Sequence, residues 1–178
     1  MNYFEVFGLP RILNIDLRKL EKSFHELSRK YHPDVHTMAN PAEKQTALQM
    51  TALLNDAYRT LRHPIHRVEY LLRSEGFKSD GSKVPKSFLM EVFEINEQLD
   101  ELKSGPATAA QVEALRGEVQ RKSEDFATKI EIAAKEWDEL VTRNASEAER
   151  KHQLSKMTEI LSEFSYIRNL ERDLEEAH

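Results

Sequence analysis

Residues 26–36, ELSRKYHPDVH, end an amphipathic stretch on a histidine, a proline and an aspartate. Ahead of them Leu17, Leu20, Phe24, Leu27 and Tyr31 recur at intervals of three and four, which predicts a helix over 16–31 with one apolar face. At roughly 100° per residue, Arg18, Lys22, His25 and Arg29 fall on the opposite side, flanked by Lys19 and Lys30. Proline fixes its own φ and disfavours helical geometry at the residue before it, so the helix stops at His32 and the side chains of His32 and Asp34 turn outward. His32 can donate or accept a hydrogen bond, Asp34 is a charged acceptor, and a bond to a charged group contributes ~1.5–3 kcal/mol. Beside the cationic stripe they form one recognition surface. Taken alone, the stripe also reads as a solvated face and Asp34 as a cap on local amides.

The flanking residues build a helical hairpin around this stop. Asn40-Pro41-Ala42-Glu43 supplies a capping residue, a proline at the first helical position and a glutamate at the third, so another helix runs from there to about Leu61. Leu48, Leu54, Ala57, Tyr58 and Leu61 give it an apolar side to lay against the cationic helix. A short helix over 3–9 precedes the pair. Another over 64–75 comes after it, with Ile65, Val68, Leu71 and Leu72 on one side and Gly76-Phe77 as its stop. In GFKSDGSKVP, residues 76–85, Asp80-Gly81 marks a turn and Pro85 opens the next helix, which sets the expected boundaries at 1–75, a linker over 76–84, and 85–178.

The second part reads as three antiparallel helices. Phe88, Val92, Ile95, Leu99 and Leu102 form one core stripe. Leu89, Met90 and Phe93 project elsewhere, in the sector of Glu94, Glu97, Asp100 and Glu101. Leaving such side chains in water forgoes ~1.5–3 kcal/mol each, so they call for a second burial partner, either another helix of the bundle or another protein. After a break at Ser104-Gly105-Pro106, a long stripe runs through Val112, Leu115, Val119, Phe126, Ile130, Ala133, Trp137 and Val141. Ser146 and Glu149 form a capping box that opens a last helix with Leu154, Met157, Leu161, Phe164, Ile167 and Leu170 inward and Tyr166 off the stripe.

Composition fits an all-α chain and narrows its chemistry. Of 178 residues, 39% are apolar and 32% charged, with five glycines. There is no cysteine, which excludes disulfides, thiolate catalysis and cysteine metal ligands. No apolar run approaches the ~20 residues needed to cross a bilayer, and the amino-terminal segment has neither secretory nor transit character, so a cytoplasmic protein is expected. Residues 1–75 hold 11 basic and 9 acidic residues, net +2, whereas 76–178 hold 15 and 22, net −7. An acidic second half argues against nucleic acid as a partner.

KYHPD after a basic amphipathic helix, with LLNDAYRTL beyond it, resembles a J domain, the module by which co-chaperones engage DnaK-type ATPases. YFEVFGLP, TLRHPIHRVEYLL and FLMEVFEINEQLDEL extend the likeness to the HscB family, the J-type co-chaperones of iron-sulfur cluster assembly, over nearly the whole chain. The resemblance implies that His32, Pro33 and Asp34, with Arg18, Lys22, His25, Arg29 and Lys30, meet the partner chaperone, HscA in the family. It implies equally that Leu89, Met90, Phe93, Glu94, Glu97, Glu101 and Tyr166 hold the scaffold protein IscU. Val35 stands where many J domains have a lysine, and no contact is assigned to it.

The expected molecule is a non-enzymatic co-chaperone with no cofactor of its own, a J domain joined to an antiparallel three-helix bundle. The alternative is a general J-domain co-chaperone with another client. A bundle metal site would need Glu149/His152 and Glu175/His178 to converge from one helix, which they cannot do, and His32/His36 and His63/His66 are poor ligand pairs in proline-containing loops. Acid-base catalysis by His32 and Asp34 has no nucleophile or electrophile beside it.

Overall fold

The chain is described from a computed structural model that defines residues 2–36, 40–78, 83–105 and 108–176; of Pro33 and His36 only the backbone is described. The Asp80-Gly81 turn, Pro106 and His178 lie outside these residues. Seven α-helices occur among the described residues, with no strand: α1 Tyr3–Val6, α2 Leu17–Lys30, α3 Pro41–Arg62, α4 Pro64–Ser74, α5 Lys86–Ser104, α6 Ala109–Thr142 and α7 Glu147–Glu176. A 3-10 turn, Pro33–His36, links α2 to α3. The chain divides into two compact units, Met1–Leu71 and Leu72–His178, the division falling inside α4.

In the first unit α2 and α3 run antiparallel. The Phe24 and Tyr58 rings stack with centroids 4.2 Å apart, and the Thr51 hydroxyl of α3 lies 3.0 Å from the Tyr31 carbonyl at the end of α2. Phe4, Phe7, Ile15, Leu20, Leu54, Ala57 and Leu61 form the core. Tyr70 secures α1 to it, stacking on Tyr3 at 4.2 Å and receiving the Tyr3 backbone N–H at 2.9 Å. The first helix is shorter than its pattern suggests: Gly8, at φ +62°, takes the left-handed conformation that closes it, and the Leu9 N–H turns back to the Phe4 carbonyl.

Two leucines assigned to the hairpin's apolar faces lie in solvent, Leu17 at the first position of α2 and Leu48 on α3. Ala47, not Leu48, is the residue α3 buries there. Arg67 is buried instead. Its guanidinium donates to the Leu61 carbonyl at 2.7 Å and to that of Leu13, fastening the loop before α2 to the end of α3.

The second unit is a three-helix bundle. Phe88, Val92, Ile95 and Leu99 of α5 and Val112, Leu115, Val119, Phe126, Ile130, Ala133 and Trp137 of α6 are buried, as their spacing predicts. Leu154, Met157, Leu161, Ile167 and Leu170 of α7 are buried too, joined by Leu174. Helices α6 and α7 run antiparallel, with the Phe126 and Phe164 rings stacked at 5.1 Å and the Gln153 amide donating to the Ala133 carbonyl at 2.8 Å. Asn144, at φ +51°, ends α6, and the Ala145 N–H returns to the Leu140 carbonyl at 2.9 Å.

The expected capping box then starts α7. The Ser146 hydroxyl and backbone N–H both reach the Glu149 carboxylate, at 2.7 and 2.9 Å, and Arg143 donates to it at 2.6 Å. The Arg143 guanidinium first, then the two Ser146 donors, hold Glu149 at a pKa of about 2. Glu163 is shifted the other way: burial raises its carboxyl, against the pull of Lys129 at 3.4 Å.

The Glu149 cap and the Arg67 fastening make measurable contributions. Because the folded-state pKa of Glu149 is depressed, its contribution is fully present above about pH 4.5 and is lost as pH falls toward 2. Glu149→Gln is expected to flatten the stability-versus-pH curve across that interval, and chemical unfolding at several pH values would show superimposable slopes if the cap carried no linkage. Arg67→Leu strands two buried carbonyls and is expected to cost about 3 kcal/mol in urea unfolding; a loss below about 0.5 kcal/mol would mean that the loop is held by other contacts.

Candidate functional site

Two exposed surfaces stand out, one on each unit. On the first unit Asp16 caps α2 by accepting from the N–H groups of Arg18 and Lys19, at 3.0 and 3.2 Å. The helix then presents Arg18, Lys22, His25, Arg29 and Lys30, all exposed. It ends as the proline requires. The Tyr31 N–H still bonds to the Leu27 carbonyl, and the 3-10 turn begins at Pro33, with the Val35 N–H donating to the His32 carbonyl at 3.0 Å.

The turn also fixes the triplet's polar groups. The Asp34 backbone N–H donates to His32 Nδ1 at 3.2 Å, so Nδ1 is the acceptor of the neutral ring and its proton sits on Nε2. The Asp34 side chain is 87% exposed and lies 3.6 Å from the same nitrogen, an ion pair only when the histidine is charged. Asp34 therefore leaves its carboxylate to solvent, and the imidazole is the group that caps a local amide. Lys30 extends over the Tyr31 ring, 5.4 Å from its centroid.

His25, Ser28, Arg29, His32 and Val35 line a shallow depression with mostly apolar walls. The structure thus gathers His25, Arg29 and His32 at one spot, with Lys22 one turn and Arg18 two turns further along α2. Val35 is 66% exposed and belongs to this face, although no sequence pattern assigns it there. A large apolar residue in a turn, with no hydrophobic period around it, is the available signal.

On the second unit, α5 separates its residues as their angular positions predict. Leu89, Met90 and Phe93 are 37%, 65% and 62% exposed, opposite the buried Phe88, Val92, Ile95 and Leu99. Glu94, Glu97 and Glu101 are exposed in the same sector. Tyr166 of α7 is half-buried and meets Phe88 edge-on at 6.3 Å, which sets its ring beside the start of α5. A clasp that no periodicity announces holds this end in place: Glu91 of α5 pairs with Lys122 of α6, whose ammonium lies 5.5 Å from the centroid of the Phe88 ring.

The remaining candidates stay apart from both faces. The His63 and His66 rings stack at 4.2 Å, aimed at each other and not at a shared ion; burial and the neighbouring imidazole lower His63. Among the described residues, no group of three His, Cys, Asp or Glu side chains is placed to hold a metal ion. No helix among them is long and apolar enough to cross a membrane.

Known proteins share this architecture. Residues 2–70 match the model of the DnaJ domain, and residues 84–175 match that of the HSCB C-terminal oligomerisation domain. The crystal structure of the human co-chaperone protein HscB superposes with a TM-score of 0.71 at 26% identity, over 98% of this chain and 81% of the human one. The chaperone HscB from Vibrio cholerae gives 0.61 at 27% identity, over 99% of this chain and 96% of the other.

Proposed function

The chain belongs to the HscB family of J-domain co-chaperones, and we propose on that premise that it stimulates ATP hydrolysis by a DnaK-type chaperone, HscA in the family, and delivers the iron-sulfur scaffold IscU to it. One observation carries the reading. Two exposed faces of opposite charge, one cationic beside His32 and Asp34, one apolar with a carboxylate fringe, stand on separate units of one chain.

In this reading residues 1–75 are the J domain, 76–84 the linker and 85–178 the scaffold-binding domain. His32, Pro33 and Asp34 engage the chaperone, and Arg18, Lys22, His25, Arg29 and Lys30 steer it through an acidic surface of its own. Leu89, Met90, Phe93 and Tyr166 bury apolar groups of the scaffold, while Glu94, Glu97 and Glu101 select a partner rimmed with lysine or arginine.

The chain performs no chemistry and needs no cofactor, because hydrolysis belongs to the chaperone. Its contribution is to bias the ATPase with one surface while the other raises the local concentration of the client, an avidity effect in the cytoplasm.

Steady-state ATP turnover by the chaperone tests the first half. His32→Gln is expected to reduce the stimulation about tenfold, equivalent to ~1.4 kcal/mol of lost transition-state bias, and undiminished stimulation would refute the role of the triplet. Titrating the scaffold against a Leu89→Ala, Met90→Ala, Phe93→Ala chain tests the second. The three substitutions remove exposed groups and leave the bundle core intact, so the fold should persist while Kd rises about 100-fold. Unaltered affinity, with the ATPase effect preserved, would leave a J-domain co-chaperone whose client sits elsewhere.

A further inference from the structure

The α5 face has properties that define a second occupant besides a client. Its fringe holds Glu94, Glu97, Asp100 and Glu101, all exposed, with Lys86 the basic residue of the same sector at the start of the helix. Carboxylates outnumber basic groups on this sector, so a surface of opposite charge is its electrostatic complement. Whatever covers Met90 and Phe93 is therefore cationic around an apolar recess.

The same chain carries such a surface. The depression of His25, Ser28, Arg29, His32 and Val35 has mostly apolar walls, an exposed Val35 at one side and the α2 cations leading away from it. The two stripes also match in length. Arg18 to Arg29 on α2 and Met90 to Glu101 on α5 each cover about 16 Å of helix axis. An antiparallel crossing that seats Phe93 in the depression would bring Glu94 and Glu97 within side-chain reach of Arg29 and Lys22.

We infer that the α5 face of one copy docks on the α2 face and His32 depression of another, joining copies head to tail. This occupant fits the charges, which are net +2 over residues 1–75 and −7 over 76–178. It is also consistent with the description of the matched C-terminal family model as an oligomerisation domain. A contact between two different surfaces closes as a reciprocal pair or propagates into short chains or a ring. The proposed scaffold and chaperone use these same two faces and would compete with a second copy, so the contact is tested with the chain alone, where failure of the scaffold reading does not affect the outcome.

Sedimentation velocity of the full chain over a concentration series tests it. At low ionic strength the weight-average mass should rise with concentration above that of one copy, and it should fall back to that of one copy at about 1 M salt, where charge interactions are screened within ~3 Å. Lys22→Glu with Arg29→Glu, and separately Glu94→Lys with Glu97→Lys, should each weaken self-association at least about tenfold. All four positions are exposed, so helical content is expected to stay the same. Mixing the two variants should restore a complex, because each supplies the face the other has lost. A chain that stays monomeric at low salt overturns the inference. So does association that survives the α2 substitutions, and so does a mixture that fails to pair.

Discussion

A proline that can neither donate a backbone hydrogen bond nor tolerate a helical residue before it governs the first unit. Without Pro33, α2 would continue past Tyr31 and the chain could not return along it as α3. With it, the last α2 carbonyls are released near Tyr31, where Thr51 of α3 can reach one of them, and the next residues wind into a 3-10 turn. That turn places an amide where His32 Nδ1 receives it. The covalent limit on one ring thus sets the hairpin, the tautomer of the neighbouring imidazole and the exposure of the Asp34 carboxylate.

Much of this architecture is written in local pattern. The spacing of three and four along α5, α6 and α7 predicts the buried residues because a bundle helix turns one continuous stripe to its neighbours. The boxes at Asn40/Glu43 and Ser146/Glu149 mark helix starts because each satisfies two amides that have no partner within the helix. The departures occur where neighbours across space decide. Leu17 and Leu48 fit the apolar period but lie in solvent, where packing across space and not the local period decides which neighbour is buried.

Buried polar groups are the converse. Arg67, Gln153 and Glu163 look like surface residues in sequence, and each is buried because a carbonyl or an ammonium from a distant segment awaits it. The candidate faces divide in the same way. Leu89, Met90 and Phe93 are legible as apolar residues in the wrong sector, whereas Val35 and the Glu91–Lys122 clasp depend on a turn and on a helix pair that no spacing encodes.

The placement of α5 has a consequence for how the molecule is made. The hairpin of α2 and α3 closes over a few intervening residues and is complete once α4 has been added. Helix α5 is not covered on its inner side until both later helices exist, and Phe88 waits for Tyr166 near the end of α7. During synthesis at ~5–20 residues per second, the first unit therefore matures while the inner and outer apolar sides of α5 are both bare on the ribosome. For those several seconds the unfinished bundle is the stretch of the nascent chain most open to aggregation.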